Sequence, residues 1–560
     1  MEWIKRGAGN SVSEIVSKNT NMPVSDLLND TKTYTYPGIK EAASLFIAHI
    51  KRGSIIRVYA DYDTDGVTSA GGMKELLKSL GVYNAKVLTP RRFTDGYGIN
   101  INRVKEFIDE GCNLLITVDN GIAGSEAIDK AKEAGMDVII LDHHLAPIDE
   151  TTGQIVLPNA DVLVDPHITG GDFDDLCGAG ITLKFADEVM AQLGDMISPE
   201  LKRRVHARIC SFAAVGTIGD VVSLTADNRK IVKEGLSYMQ FGTCSVGLKT
   251  LLNTFGTNDV TSQNIGFGIS AGINAAGRLE DNGAAEMTAL LSFDTLSPDL
   301  QSLCNHAKER NELRKKMTID AVENAKSFYR SKGALDNFVV YFAEDLPLGI
   351  AGLIAQRLCE EFNRPAIALG SVPDNPNILK GSGRSIDGVH LKELLDAAKP
   401  SGTMLGYGGH AAAAGISIER AKLNDFIVAI NSVAPVAKSK TEIYYDLELD
   451  ATRDALMNFA NESRQFEPYG AGNPELIIKL SNLKLGDKWG NTYKLMGSEH
   501  QHIKLCGDGF DITWFNHADD YKNMGQPKIV DVLGSVSLNE YKGFITPQVK
   551  PIAVKPAGFY

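Results

Sequence analysis

The sequence has few of the features that mark a secreted, membrane-bound or disulfide-stabilised protein. Its seven cysteines are scattered over 560 residues and form no Cys-x-x-Cys pair, which favours reduced thiols over a disulfide framework. No stretch approaches the run of about 18 apolar residues that a membrane span requires, and the first residues contain no apolar segment of a signal peptide. We therefore expect a cytoplasmic protein that has no membrane contact.

An excess of positive charge is also lacking. The chain carries 57 Lys+Arg and 70 Asp+Glu, which gives a formal net charge of −13. Binding of nucleic acid would therefore depend on local basic clusters or on bound cations, and not on the overall charge. Hydrophobic residues make up 43% of the chain, a composition typical of globular proteins that argues against intrinsic disorder.

The apolar patterns predict an α/β protein with several domains. From residue 54 to 141, short apolar runs alternate with helical patterns, as in βαβ units around a parallel sheet. A mostly helical region follows, then a second α/β unit, and then short strands at roughly ten-residue spacing that indicate a small barrel. The predicted units are an N-terminal extension (1–40), a catalytic domain with a parallel sheet (41–245), a helical connector with a long helix (246–332), a smaller α/β substrate-binding domain (333–435) and a β-barrel domain that binds nucleic acid (441–560).

Acidic and imidazole side chains follow the predicted strands of the first domain, at the point where each strand ends. They are Asp61, Asp63 and Asp65 after the first strand, Asp119 after the third, and Asp142, His143 and His144 after the fourth. Asp220 follows a predicted helix, in a turn that we assign to Gly216 and Gly219. Because the carboxyl ends of parallel strands face one crevice, we expect these side chains to lie close together.

The residue types in this predicted cluster indicate a metal centre. Each motif alone fits an ordinary turn or a solvated surface, but clustered carboxylates repel each other unless a cation is bound. Carboxylates with one or two imidazoles and no thiolate suit Mn²⁺ or Mg²⁺. The candidate ligands are too many for one tetrahedral site and favour two ions, an arrangement that serves phosphate-ester cleavage.

Two glycine-rich stretches of the second α/β unit predict a clamp for phosphate groups. GSGRS (381–385) offers Ser382 and Arg384 in a predicted turn, and GGHAAAAG (408–415) offers His410 before small residues that we expect to open a helix. Either stretch alone could be an ordinary connection between elements. Beside a metal centre, both favour a polyanionic substrate.

These motifs resemble those of the DHH phosphoesterase superfamily. DYDTDG, VDNG, DHH and VGTIGDVV are similar, in order, to its four motifs, and GSGRS and GGHAAAAG to those of the DHH-associated domain. PRRFTDGYG (90–98), INAAGRL (273–279) and FEPYGAGNPE (466–475) narrow the resemblance to the RecJ branch, the single-strand-specific exonucleases. The resemblance covers roughly residues 40–480, and the strand-rich tail resembles the OB fold of the family more loosely.

The resemblance implies an activity and a role for each matching residue. The activity is metal-dependent 5′→3′ degradation of single-stranded DNA to mononucleotides in DNA repair or recombination, by a monomer that works beside a helicase or single-strand-binding protein. The implied metal ligands are Asp63, Asp65, Asp119, His143 and Asp220, with Asp119 bridging two ions. Asp61 would support the first loop, and His144 would contact the scissile phosphate. The positions implied to hold the DNA backbone or 5′ phosphate are Arg92, Arg278, Ser382, Arg384 and His410.

Two other functions stay open at this point. A DHH oligonucleotide or cyclic-dinucleotide phosphodiesterase shares the DHH and GGH motifs but is shorter. A non-catalytic replication scaffold of the Cdc45 type keeps the fold without the ligands. The tail offers five aromatic residues, of which we expect most to be barrel core and one or two to stack bases. They are Trp489, Tyr493, Trp514, Phe515 and Tyr541.

Overall fold

The computed structural model describes residues 2–7, 9–29, 32–149, 151–373, 375–435, 442–541 and 543–558. The N-terminal extension forms a short strand and two helices. These elements are β1 (Glu2–Lys5), α1 (Val12–Thr20) and α2 (Val24–Asn29). The hydroxyl of Ser11 accepts a hydrogen bond from the amide of Glu14 and so caps the start of α1.

The first α/β domain alternates strands and helices as the sequence predicts. Its elements are α3 (Ile39–Arg52), β2 (Ile56–Ala60), α4 (Thr64–Ser79), β3 (Ala85–Leu88), α5 (Ile101–Asp109), β4 (Leu114–Val118), α6 (Ser125–Glu133), β5 (Asp137–Leu141), β6 (Val162–Val164), α7 (Pro166–Thr169), α8 (Gly178–Gln192), α9 (Pro199–Gly219) and α10 (Ala226–Gln240). The five strands form a parallel sheet in the order β3–β2–β4–β5–β6.

Helices cover both faces of this sheet, which explains its uninterrupted apolar strands. Every residue of β2 and β4 is buried. One face packs against α3, α4, α8 and α9, and the other packs against α5 and α6. A parallel strand buried on both faces carries apolar residues without alternation, which is the pattern that predicts it. The carboxyl ends of all five strands therefore lie at one edge.

The connector is helical and leads to the second α/β domain. It contains α11 (Val246–Phe255), α12 (Ser262–Asn264), a π-helix (Ile265–Ser270), α13 (Ala271–Leu279), α14 (Gly283–Leu291) and α15 (Pro298–Lys332). At 1.5 Å per residue, the 35 residues of α15 span about 50 Å. Buried side chains of this helix contribute to the apolar cores at both of its ends. It therefore bridges the two α/β domains, as its length and charge predict.

The second α/β domain has a five-stranded mixed sheet in the order β10–β11–β9–β8–β7. Its elements are β7 (Val339–Phe342), α16 (Ala351–Phe362), β8 (Ala366–Val372), β9 (Asn375–Arg384), α17 (Leu391–Ala398), β10 (Met404–Gly409), β11 (Ala413–Glu419) and α18 (Leu423–Val433). Two local predictions are wrong here. GSGRS is the end of β9 and not a turn, and GGHAAAAG joins β10 to β11 and does not open a helix.

The C-terminal domain is a seven-stranded sheet with two helices. Its elements are β12 (Glu442–Tyr445), β13 (Leu447–Leu449), α19 (Arg453–Arg464), β14 (Ile478–Lys484), β15 (Tyr493–Met496), β16 (His502–Cys506), β17 (Asp511–Trp514), α20 (Ala518–Asn523), β18 (Ile529–Tyr541) and β19 (Phe544–Pro556). The sheet order is β13–β14–β18–β19–β17–β16–β15, and β12 pairs instead with β1.

The two ends of the chain share one apolar core. Val12, Val16 and Leu27 of the N-terminal helices are buried together with side chains of α19 and the C-terminal sheet. The fully buried guanidinium of Arg229, on α10, donates hydrogen bonds to the backbone oxygens of Leu27, Phe466 and Glu467. The extension and the C-terminal domain are therefore fastened together onto the catalytic domain.

Among the residues that the structure describes, no helix has the length and apolar character needed to cross a membrane.

Candidate active site

The loop after β2 begins the site, and its aspartates are fixed by backbone amides. Asp63 is the N-cap of α4, and its Oδ1 accepts hydrogen bonds from the amides of Asp65 (2.9 Å) and Gly66 (3.1 Å). The Asp65 carboxylate accepts from the amides of Gly178 (2.7 Å) and Ala179 (3.0 Å) at the start of α8. Backbone amides therefore hold both side chains in place.

Asp119 and Asp220 join this loop from two other elements. Asp119 follows β4 with φ 59°, a left-handed conformation that is uncommon for residues other than glycine. Asp220 is the C-cap of α9, so Gly216 lies within the helix and not in the turn that the sequence predicts. A Cβ at Gly216 would lie 2.6 Å from Oδ1 of Asp65, which explains the need for glycine there.

The three residues of the Asp-His-His segment after β5 make different contacts. Asp142 is fully buried, accepts from the amide of Ile122 (2.9 Å), and accepts from Nδ1 of His144 (2.8 Å). His143 turns toward the other aspartates, with Nε2 3.1 Å from Oδ1 of Asp119. Asp142 thus orients His144. The sequence indicates that Asp142 belongs to the motif, but it does not indicate this role.

The predicted metal ligands converge as the sequence predicts. Ligand atoms lie within 4.8 Å of one another in three overlapping sets. The sets are Asp65, His143 and Asp220; Asp61, Asp63 and Asp119; and Asp119, His143 and His144. The contact between His143 and Asp119 links the first of these sets to the second. Two linked sets of ligands fit two adjacent cations.

The protonation behaviour of the cluster supports cation binding. Burial and the charge of Asp63 raise the pKa of Asp61 to about 8, and burial and the charge of Asp65 raise that of Asp220 to about 8. Burial and the neighbouring carboxylates also raise the pKa of Asp119. One buried oxygen of Asp61 has no hydrogen-bond partner among the described residues. A carboxylate cluster in this state is stabilised by divalent cations, so the residues fit Mn²⁺ or Mg²⁺.

His144 differs from the carboxylates because it favours its charged form. Burial lowers its pKa, but the hydrogen bond to Asp142 and the charges of Asp142, Asp61 and Asp220 outweigh burial and raise the pKa to about 9. An imidazolium therefore faces the site at neutral pH. Burial lowers the pKa of His143, which favours the neutral ring that a metal ligand requires.

Arginines without acidic partners lie beside the aspartate cluster. Burial, together with the charges of Arg92, Arg314 and Arg384, lowers the pKa of Arg278 to about 10. In the described part of the chain, none of the four forms an ion pair with a carboxylate. Burying a cation without a partner is costly, so their arrangement indicates an anionic ligand. The sequence does not single out Arg314, since α15 carries many basic residues and only the fold shows that this one lines a groove with Arg278.

Close packing connects this pocket to the second α/β domain. A Cβ at Gly277 would lie 3.1 Å from the backbone oxygen of Tyr62, and a Cβ at Gly349 would lie 2.1 Å from that of Arg278. A Cβ at Gly352, in the first turn of α16, would lie 2.7 Å from Nη2 of Arg384. Glycine at these positions therefore lets Arg384 approach the start of α16, next to the aspartate loop.

The remaining predicted phosphate-binding residues lie on β9 and in the turn after β10. Ser382 and Arg384 are two positions apart on β9, so their side chains share a face, and Nη1 of Arg384 donates to Oγ of Ser382 (2.8 Å). His410 is exposed in the turn between β10 and β11, and this turn lies beside Arg384 because Ala413 pairs with Arg384. The structure thus brings all three to one end of this sheet.

We call the surface formed by Arg92, Arg278, Arg314 and Arg384 the arginine pocket. A groove of about 1650 Å³ leads away from it. Its walls are the Asp220 turn, the end of α10, the π-helix and α13 on one side, and α19, the 466–475 segment and β18 on the other. Among the tail aromatics named from the sequence whose side chains the structure describes, none lines it. Trp514 is buried and Tyr493 packs against Tyr521, whereas Trp489 and Phe515 are exposed outside the groove. The side chain of Tyr541 lies outside the described residues.

Comparison with known protein families supports this geometry. The DHH family N-terminal domain model matches residues 55–217, the DHHA1 domain model matches 335–434, and the RecJ OB domain model matches 445–552. A parallel sheet that ends in this aspartate–histidine cluster, joined to a DHHA1 domain, defines a metal-dependent DHH phosphoesterase.

Individual relatives narrow this class. The single-stranded-DNA-specific exonuclease RecJ of Escherichia coli is 33% identical over 408 residues, which cover 70% of this chain and 68% of that protein. A crystal structure of exonuclease RecJ bound to manganese is 29% identical and has a TM-score of 0.60, covering 71% of this chain and 95% of that one. The fold also matches RecJ from Thermus thermophilus in complex with Mn²⁺, with a TM-score of 0.80 at 24% identity, covering 100% of this chain and 80% of that one. The chain belongs to the RecJ family of single-stranded-DNA-specific exonucleases.

Proposed function

We propose that this protein hydrolyses single-stranded DNA from its 5′ end to mononucleotides, with two divalent cations, in DNA repair or recombination. The main observation that supports this proposal is that arginines without acidic partners lie next to the aspartate cluster, at the inner end of a groove. A pocket that binds a terminal phosphate beside the hydrolytic centre selects a strand end over an internal position. The 5′ polarity rests on the family resemblance.

Each residue near the cluster has a proposed role. We assign the metal ligands to Asp63, Asp65, Asp119, His143 and Asp220, with Asp119 shared between the ions and Asp61 supporting the loop. The ions, when bound, supply the nucleophile and neutralise charge on the reacting phosphate. The imidazolium of His144 donates a hydrogen bond to a phosphoryl oxygen, where negative charge develops during the reaction.

The basic side chains would hold the strand during this reaction. Arg92, Arg278 and Arg384 are suited to bidentate contacts with phosphate, and Ser382 and His410 add further donors. We propose Arg314 as an additional contact, because it lies in the groove without an acidic partner. The groove between the two walls would admit one strand, and a duplex would have to separate before it entered.

The proposal extends to the location, the assembly and the domain boundaries of the protein. The seven cysteines are unpaired and buried, which supports a cytoplasmic location. We propose a monomer that acts after a helicase or a single-strand-binding protein has exposed the strand. We also retain the predicted unit boundaries, with the addition that residues 12–27 pack with the C-terminal domain.

The test is digestion of labelled DNA by the purified protein. We expect rapid loss of a single strand of 30 nucleotides with Mn²⁺ or Mg²⁺, slow loss of a blunt duplex, and no activity in EDTA. The variant Asp119→Asn should be inactive under every condition. Hydrolysis of dinucleotides with no digestion of the long strand would favour the oligonucleotide phosphodiesterase instead, and binding of DNA without hydrolysis would favour a scaffold.

A further inference from the structure

Large apolar side chains are exposed inside the groove, and the most exposed of them come from the helical wall, whereas Ile545 of the C-terminal domain is 45% exposed. Phe241, the C-cap of α10, is 79% exposed, and Phe267, in the π-helix, is 73% exposed. Val221, next to Asp220, is 70% exposed, and all three line the same groove. Apolar side chains that are exposed together in one concave surface indicate a ligand that covers them.

One helical face connects these rings to the arginine pocket. Phe267, Ala271, Asn274 and Arg278 all line the groove, at spacings of four, three and four residues. Residues at these spacings lie along one side of a helix. Oδ1 of Asn274 accepts a hydrogen bond from the amide of Thr64 (3.0 Å), so this end of the face touches the aspartate loop. Phe267 lies about 10 Å farther out, from seven residues at 1.5 Å each.

The charges of the outer groove do not favour a phosphate backbone. The basic lining residues there are Lys233, Arg464 and Lys550, and the acidic ones are Asp259, Glu467, Glu475 and Glu540. The four acidic side chains therefore outnumber the three basic ones, in contrast to the arginine pocket. A strand that passes through this part of the groove gains little from phosphate contacts and must be held through its bases.

We propose that Phe267 and Phe241 are strand-positioning residues on which bases stack, about three nucleotides behind the terminal one at a stacked spacing of 3.4 Å. This inference rests on the proposed function and adds the register at which the strand is held. An aromatic ring stacks on any base, so the contact would be tolerant of sequence, as an exonuclease that follows a strand requires.

The test measures binding in EDTA, where no hydrolysis occurs. Anisotropy of a 5′-phosphorylated, 3′-labelled 12-mer would be compared between the wild type, Phe267→Ala, Phe241→Ala and the control Trp489→Ala. Trp489 is 72% exposed but lies outside the groove. We expect about tenfold weaker binding for each phenylalanine variant, the loss of one base stack, with an unchanged salt dependence. The control should bind like the wild type.

A second strand makes the register testable. Abasic residues at nucleotides three to five should weaken binding to the wild type about a hundredfold and binding to Phe267→Ala only about tenfold, whereas the double variant Phe267→Ala/Phe241→Ala should bind both strands equally. Phe267→Leu keeps the apolar volume and should bind nearly as weakly as the alanine variant. Wild-type affinity in either Phe267 variant, or additive losses in this cycle, would overturn the inference. If the wild type does not digest single strands with Mn²⁺, the proposed function itself fails.

Discussion

Replacement of Asp119 by asparagine should abolish activity and stabilise the metal-free protein at the same time. The change removes one charge from the centre of the cluster and keeps the shape of the side chain. Asparagine also adopts the left-handed conformation of residue 119 readily, so the backbone is not strained by the substitution. A loss of activity together with a gain of stability would show that the carboxylates needed for metal binding destabilise the metal-free fold.

The size of the stabilisation follows from the spacing of the carboxylates. Ligand atoms of Asp61, Asp63 and Asp119 lie within 4.8 Å of one another. Two full charges at this separation repel by about 3 kcal/mol at an effective dielectric constant of 20. Partial protonation relieves some of this repulsion, so we expect a gain of about 2 kcal/mol at pH 8, or about 5 °C in the Tm of a catalytic domain of about 200 residues.

The pH dependence has a definite sign. Burial and neighbouring carboxylates raise the pKa of Asp119 above its ordinary value. A carboxyl group with a raised folded-state pKa destabilises the fold as the pH rises above its unfolded pKa of about 4. The advantage of Asp119→Asn over the wild type should therefore be larger at pH 8 than at pH 5.

Thermal unfolding in EDTA at both pH values, and with Mn²⁺ at pH 8, measures these effects. Mn²⁺ should raise the Tm of the wild type well above that of the variant and so reverse their order, since only the wild type retains the full set of ligands. Asp129→Asn, on the exposed surface of α6, is the matched control and should change nothing. A variant less stable than the wild type in EDTA at pH 8 would refute this reasoning.

Three further predictions concern other parts of the molecule. Arg384→Ala should weaken strand binding and lower the slope of log affinity against log salt by about 0.7, the value for one phosphate contact. The Tm shift caused by Mn²⁺ should not change. A slope equal to that of the wild type would exclude the arginine from the strand path. Arg229→Met should lower the free energy of unfolding by about 3 kcal/mol, measured by urea unfolding, since three buried carbonyls lose a charged donor, and Arg229→Lys should recover part of the loss. The hydrogen bonds that His206 donates to the carboxylates of Asp187 and Glu234 raise its pKa to about 9. His206→Gln should therefore cost about 1 kcal/mol at pH 6 and progressively less as the pH rises through 9, and a deficit that stays constant with pH would contradict this.

The sequence was sufficient to predict the convergence of the catalytic residues. Strands β4 and β5 fall within the region in which the sequence predicts βαβ units, because strands buried on both faces leave an unambiguous apolar pattern. Once the sheet is parallel, the residues after its strands must share one edge, so Asp61, Asp119 and His143 meet despite their separation in the chain.

The features that the sequence did not predict depend on contacts between distant segments. GSGRS and GGHAAAAG contain turn residues, yet GSGRS ends β9, and GGHAAAAG forms the end of β10, the turn and the start of β11, because β8, β9, β10 and β11 pair in one sheet. The sequence near the N-terminal helices does not indicate what they pack against. Their apolar side chains join the core of the C-terminal domain, more than 400 residues away in the chain. The exposure of Phe241 and Phe267 could not be read from the chain, since an aromatic residue in a helical region is ordinarily buried.

The position of the arginine pocket beside the aspartate cluster is the centre of this account, and the polarity of digestion tests it most directly. One single strand would be prepared with a label at either end, and with either a 5′ phosphate or a 5′ hydroxyl. With Mn²⁺, the 5′ label should appear as a mononucleotide from the earliest times, while the 3′ label stays in long fragments. The 5′-hydroxyl strand should be digested more slowly. Early release of the 3′ label would contradict the account, as would equal rates for both 5′ ends.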